Sequence, residues 1–170
     1  MAQNIKSVVG RVQVRSTLAS FIAPPAINGI NQVFTSFPKR INFQENALPS
    51  QLNRCAAVIF IESENESRIA NGGVSAGWKR VDYTVAIQLF HHSLERNSED
   101  AMADLDQTID DLKELLRDGF HRLGDTSGIQ VWQAAEPDIS ATYGEPLSQK
   151  GGSTETWATI RFTVTQMIPV

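Results

Sequence analysis

The sequence predicts an α+β fold: an antiparallel or mixed β-sheet packed on one side by a long amphipathic helix and a shorter N-terminal helix. Three observations lead there. Met102, Leu105, Ile109, Leu112, Leu116 and Phe120 recur at steps of three and four, so they share one stripe of a helix. Val81, Tyr83, Val85, Ile87 and Leu89 alternate with Asp82, Thr84, Ala86 and Gln88, the period-two signature of a half-buried strand. A second alternation closes the chain, with Ala158, Ile160, Phe162, Val164 and Ile168 set against Thr159, Arg161, Thr163 and Thr165. One-sided strands and a one-sided helix hide their apolar atoms against each other, which gives the class.

With 170 residues, 41% hydrophobic and 20% charged, the chain is long enough for one good core and short for two, so a single domain over 1–170 is expected. No apolar run nears the length of a membrane span, and no basic-then-apolar leader is visible, so a cytoplasmic protein is the expectation. The net charge of −4 argues against nonspecific coating of nucleic acid. Its distribution says more. Residues 1–44 contain no acid but carry Lys6, Arg11, Arg15, Lys39 and Arg40, whereas the helix after Ser98 is strongly acidic. Such a split suits complementary contacts between subunits or a passage for a charged polymer; an uneven solvated surface gives it too.

In order, Ile5, Val8, Val9, Val12, Leu18, Phe21 and Ile22 predict a first helix over 5–22, although Val12-Gln13-Val14 also suits a strand. Pro24-Pro25 ends it, because proline lacks an amide donor and restricts the residue before it. Asn28-Gly29 turns into a short strand over Gln32 to Phe37, closed by Pro38. Lys39 to Asn53 reads as a surface loop. The sheet is expected over 54–92 and 128–170. Arg54 to Glu62 is an apolar, β-rich run, hence a buried strand. Ser63 to Gly77 reads as a hairpin tip at Asn71-Gly72-Gly73 with one short strand near Arg68 to Ala70. The long strand follows Trp78, then the central helix over 98–122, opened by Asn97, Ser98, Glu99 and Asp100 and closed by Arg117, His121, Arg122 and Gly124. Gly128 to Ala134 is a strand, Glu136 to Gly152 a loop or loose hairpin, and Thr156 to Ile168 the last strand.

The chemical signatures are sparse. His91 and His92 are adjacent on a strand and point to opposite faces, so they cannot grip one ion; His121 suits a helix end. No nucleophile elbow, phosphate-cradling loop or dinucleotide fingerprint occurs, so no catalytic residue, metal ligand or cofactor is assigned. Cys55 sits in an apolar run and reads as a small buried thiol. Asp104, Asp106, Asp110, Asp111, Glu114 and Asp118 read as a solvated helix face. Trp78, Trp132 and Trp157 read as core or subunit interface.

The chain resembles the tail terminator (tail-completion) proteins of long-tailed bacteriophages over nearly its whole length. The resemblance is carried by the first helix running into Pro24-Pro25-Ala26-Ile27-Asn28-Gly29-Ile30, Leu48-Pro49 before Ala57-Val58-Ile59-Phe60, and the tip Asn71-Gly72-Gly73. It continues in Tyr83 to Leu89, the helix Asp104 to Leu116, and Trp157 to Val164. It implies a structural virion protein, not an enzyme. Such a protein forms a hexameric ring that caps the tail tube, stops its polymerisation and offers the joining surface for the head connector or head-closure protein. DNA passes through the lumen without specific binding, and no membrane is involved. Assembly would occur in the host cytoplasm. For a ring closed by unlike patches, the candidate subunit or partner contacts are Arg11, Arg15, Lys39, Arg40, Gly72, Gly73, Trp78, Lys79, Arg80, Gly151 and Gly152, with sheet edges or adjoining loops joining neighbours. The alternatives are another neck component, such as a head-closure or connector adaptor protein, and a small α+β ligand-binding module or enzyme.

Overall fold

A computed structural model of the chain describes residues 10–27, 29–43, 53–68, 77–94, 98–118, 131–133, 139–148 and 153–169. In order they form α1 (Arg11–Ile22), β1 (Ile30–Phe34), β2 (Asn53–Arg68), β3 (Trp78–Ser93), α2 (Ser98–Asp118), β4 (Val131–Gln133), β5 (Ser140–Tyr143), β6 (Leu147–Ser148) and β7 (Thr154–Pro169). The fold is α+β with one mixed sheet, ordered β1-β2-β3-β7, in which β4, β5 and β6 follow one another along the outer edge of β7. Only β1 runs parallel to its neighbour; every other pairing among the described residues is antiparallel.

Both helices pack on one face, α1 over β1 and β2 and α2 over β3 and β7. Register explains why that face is apolar. Ile59, Ile87 and Ile160 lie in one row across three strands, and Ala57, Leu89 and Ala158 in the next. Leu105, Ile109, Leu112 and Leu116 of α2 close over these rows and are essentially inaccessible. Each such burial contributes roughly 1.5–3 kcal/mol. In α1 the buried set is Val14, Leu18 and Ile22, one residue per turn, while Val12 is 63% exposed. The alternation that would have suited a strand at Val12-Gln13-Val14 is resolved by Val14 facing the sheet and Val12 facing water.

Gly29 fixes where α2 meets the start of β1. Its φ of +100° belongs to the left-handed region that glycine adopts without strain, and a Cβ there would sit 3.0 Å from the Thr108 hydroxyl of α2. Its carbonyl accepts the Cys55 amide at 3.2 Å, and the Asn31 side-chain oxygen accepts the same amide at 3.0 Å. The first strand of the sheet is thereby stapled to the second.

Several boundaries differ from expectation. The hairpin tip expected over Ser63 to Gly77 begins later, because β2 continues as a strand to Arg68, with Ser63 opposite Thr84 and Arg68 opposite Lys79. A bulge between Ile61 and Ser63 marks where β2 passes from buried to exposed. Glu136 to Gly152, expected as a loop or loose hairpin, supplies β5 and β6, each paired to β7 rather than to the other. The strand expected over Gln32 to Phe37 is Ile30–Phe34. The expected helix residues 5–9 and 119–122, and most of the strand expected at Gly128 to Ala134, lie outside the described residues.

The second face of the sheet is not simply wet. Ala56, Val58 and Ala86, which alternate away from the helices, are as buried as the core. Residues 35–43 fold back across the outer side of β1 and β2. The Phe37 ring lies 5.1 Å from Phe60, Phe43 stacks on His92 at 5.2 Å, and the Gln32 side-chain amide donates to the Asn42 carbonyl at 2.5 Å. Farther along, Arg161 of β7 reaches Glu62 of β2 at 3.0 Å, so this ion pair spans β3 above the row containing Ala86.

Candidate functional site: an assembly surface

The polar stretch of β2 pairs with β3 over Ser63–Arg68 and Lys79–Thr84, and β7 pairs with the same part of β3 through Pro169. The result is an arm in which Glu62–Arg68 of β2 is exposed while Val81, Tyr83 and Val164 of the strands beside it stay in the core. It carries four acids, Glu62, Glu64, Glu66 and Asp82, and each is met by a cation of the same chain. Arg11 at the start of α1 grips Glu64 with both a 2.7 Å Nε contact and a 2.7 Å Nη2 contact. Lys79 pairs with Glu66, Arg80 with Asp82 at 2.9 Å, and Arg161 with Glu62. The Thr165 hydroxyl adds a 2.5 Å hydrogen bond to Asp82. The guanidinium of Arg11 holds the Glu64 carboxyl below the usual carboxylate range, chiefly through these hydrogen bonds.

These pairs give several of the cations expected at a subunit or partner interface a counter-ion within the chain. Arg11, Lys79 and Arg80, all expected as contacts to another subunit, are neutralised within their own arm. Arg15 donates to the Thr35 carbonyl at 2.8 Å and so ties α1 to the segment leaving β1. Lys39 and Arg40 remain, both exposed, on the segment that crosses the outer side of β1 and β2. Trp78 is 46% exposed at the far end of the arm. Gly72, Gly73, Gly151 and Gly152 lie outside the described residues. The structure thus brings Arg11, Trp78, Lys79 and Arg80 to one arm and leaves Arg15, Lys39 and Arg40 at the β1 side.

The opposite edge is built differently. Tyr143 of β5 sits beneath α2, where Asp106 and Asp110 face it; burial first, then these carboxylates, raise its hydroxyl's pKa above the ordinary value. Asp106, Asp110 and Glu114 stay exposed on α2, and Glu145 is exposed just beyond β5. Trp157 lies across Gly144, so closely that a Cβ there would fall 1.9 Å from the indole Cε2, while the Gly144 amide donates to the Trp157 carbonyl at 2.9 Å. Sequence reasoning missed this pair, although a tryptophan on the polar side of an alternating strand was the available signal. Leu147 and Tyr143 add exposed apolar surface at the same edge. The solvated face expected of α2 holds for Asp106 and Asp110, whereas Asp104 is half-buried and acts electrostatically on His91.

Cys55, His91 and Thr156 form one cross-strand row beneath the helices. All three are buried, and His91 Nδ1 lies 3.4 Å from the Thr156 hydroxyl. Burial pushes the thiol up to about 12. It pulls His91 down to about 4, an effect that Asp104 opposes and His92 reinforces. At neutral pH the row therefore holds a thiol and a neutral imidazole. Activation of a cysteine requires the reverse shift. Among the described residues no group of three or more His, Cys, Asp or Glu side chains is placed to hold a metal ion, and no helix is long and apolar enough to cross a membrane. No protein-family model matches the chain, and no curated protein does.

Proposed function

We propose that this chain is a structural subunit of a virion neck: a ring-forming tail terminator that caps a phage tail tube, halts its polymerisation and presents the surface joined by the head connector or head-closure protein. The observation that carries the reading is the exposed arm of β2. The end of β2 from Glu62 to Arg68 is exposed and held by ion pairs to Arg161, Arg11 and Lys79, while Val81, Tyr83 and Val164 on the strands beside it stay in the core. A fold that leaves the end of a long strand as exposed surface is suited to touching other proteins. The chemistry in the interior supports the same reading, because its thiol and imidazole are held neutral.

In this role the subunits form a closed hexameric annulus, and DNA crosses the lumen without specific contacts. An overall charge of −4 disfavours adhesion of DNA to the wall. No cofactor or metal takes part. The test is electron microscopy of particles assembled without this protein, together with mass photometry of the purified chain. Tails of uncontrolled length and a ring of about six copies are expected. Tails of normal length with detached heads would assign the chain to the head-side adaptor instead. A strictly monomeric chain, even with tail tube protein present, would overturn the reading.

A further inference from the structure

The segment that leaves β1 is fastened to the outer face of the sheet at both of its ends. Arg15 of α1 donates to the Thr35 carbonyl at 2.8 Å, and the Phe37 ring meets Phe60 of β2 at 5.1 Å. At the far end the Gln32 side-chain amide donates to the Asn42 carbonyl, and Phe43 stacks on His92 of β3 with centroids 5.2 Å apart and planes 17° from parallel. Register turns these contacts into a path. His92 lies opposite Arg54, and Arg54, Ala56, Val58 and Phe60 share one face of β2, so residues 37–43 run over Ala56 and Val58, which are buried. Residues 35–43 are a strap over an apolar strip.

One fastening depends on a group that changes charge. His92 Nδ1 is buried and makes no hydrogen bond, while the Glu155 carboxylate of β7 stands 3.6 Å from it. A proton on that nitrogen makes a charged contact with Glu155 and lays an imidazolium, rather than a neutral ring, on the face of Phe43. A closed strap supplies that aromatic face and shields the pair from water on one side; an open strap does neither. Among the described residues the other charges around His92 are Arg54 from β2 and Lys39 and Arg40 from the strap. Arg54 stands on the sheet whether the strap is open or closed, so it does not choose between the two. Lys39 and Arg40 are exposed, where solvent and salt screen their repulsion. His91 points to the opposite face of β3 and is kept neutral by burial.

We infer that His92 is a proton-operated catch for this strap: the protonated ring, held between Phe43 and Glu155, keeps residues 35–43 closed over Ala56 and Val58, and loss of the proton loosens them. The closed strap binds the proton more tightly than the open one, so closure strengthens as pH falls through the range of histidine ionisation. Every group in the catch belongs to one copy of the chain, so it works in a monomer and in a ring alike.

Trypsin reports the strap directly, because it cleaves after Lys39 and Arg40 only when that backbone leaves the sheet. Cleavage at these bonds is timed at about pH 8 and about pH 5.5 in wild type, His92→Phe and Glu155→Gln. His92→Phe keeps a ring for Phe43 and takes no proton. Glu155→Gln removes the carboxylate from a side chain that is 38% exposed, so this variant folds whatever becomes of the first. The wild-type rate is divided by each variant's rate at the same pH, which cancels the protease's own pH dependence and that of His91. The ratio to His92→Phe should fall by about threefold or more on acidification, and the ratio to Glu155→Gln should fall with it. A ratio to either variant that stays level or rises would overturn the catch. So would an equal fall for cleavage after Arg80, inside β3, which requires the whole fold to open.

Discussion

Replacing His91 by glutamine should flatten the acid limb of the stability curve. In the folded chain the imidazole is about 1% exposed, and burial lowers its pKa from 6.5 to about 4. Between those two values the unfolded chain binds a proton that the folded chain refuses. Stability gained from a neutral buried His91 is therefore complete above the unfolded value and is lost as pH falls through the window. A difference of this size, at about 1.4 kcal/mol per unit, gives roughly 3 kcal/mol across the window. Asp104 restrains the effect and His92 adds to it. Urea denaturation of wild type and His91→Gln at about pH 7.5 and about pH 4.5 measures it directly. The wild type should lose roughly 3 kcal/mol more than the variant between the two conditions. Glutamine carries its own cost at both values, so only the difference in slope counts. Parallel curves would show that His91 does not titrate as a buried neutral group, and the account of the Cys55–His91–Thr156 row would fail with it.

Other outcomes follow from the same packing. Leu112→Ala empties a site closed between α2 and the sheet and should cost about 2–5 kcal/mol in chemical denaturation, with helix content retained below the transition. Gly144→Val drives a side chain into the Trp157 indole and should destabilise by about 1–3 kcal/mol; the matching change in tryptophan emission would locate the strain. Cys55, fully buried with its pKa raised to about 12, should react with a thiol reagent only at the rate of unfolding, so fast labelling of the native chain would contradict its burial. Glu64→Gln weakens the clamp from Arg11, and it should leave the melting transition nearly in place while speeding hydrogen exchange in the arm.

What was legible in the sequence is what repeats locally. The stripe Leu105, Ile109, Leu112 and Leu116 and the alternation from Val81 to Leu89 each record burial on one face, and burial is written into consecutive residues at a fixed period. Hence α2, β3, β7 and the α+β class could be read directly. The polar end of β2 carried no such record: Ser63 to Arg68 is exposed on both faces, and only pairing with β3 makes it a strand. Likewise β5 and β6 are strands because β7 offers an edge, not because Ser140–Tyr143 or Leu147–Ser148 are strongly periodic.

The candidate surface divides the same way. Composition alone located the basic first quarter and the acidic helix, and it placed Lys39, Arg40, Asp106 and Asp110 among the exposed charges. It could not show that Arg11 is committed to Glu64, 53 residues away, or Arg161 to Glu62, 99 residues away. Those partners are chosen by strand register and by where α1 lands on the sheet. Periodicity is a property of neighbours along the chain, whereas an ion pair is a property of distant segments brought side by side, and only folding decides it.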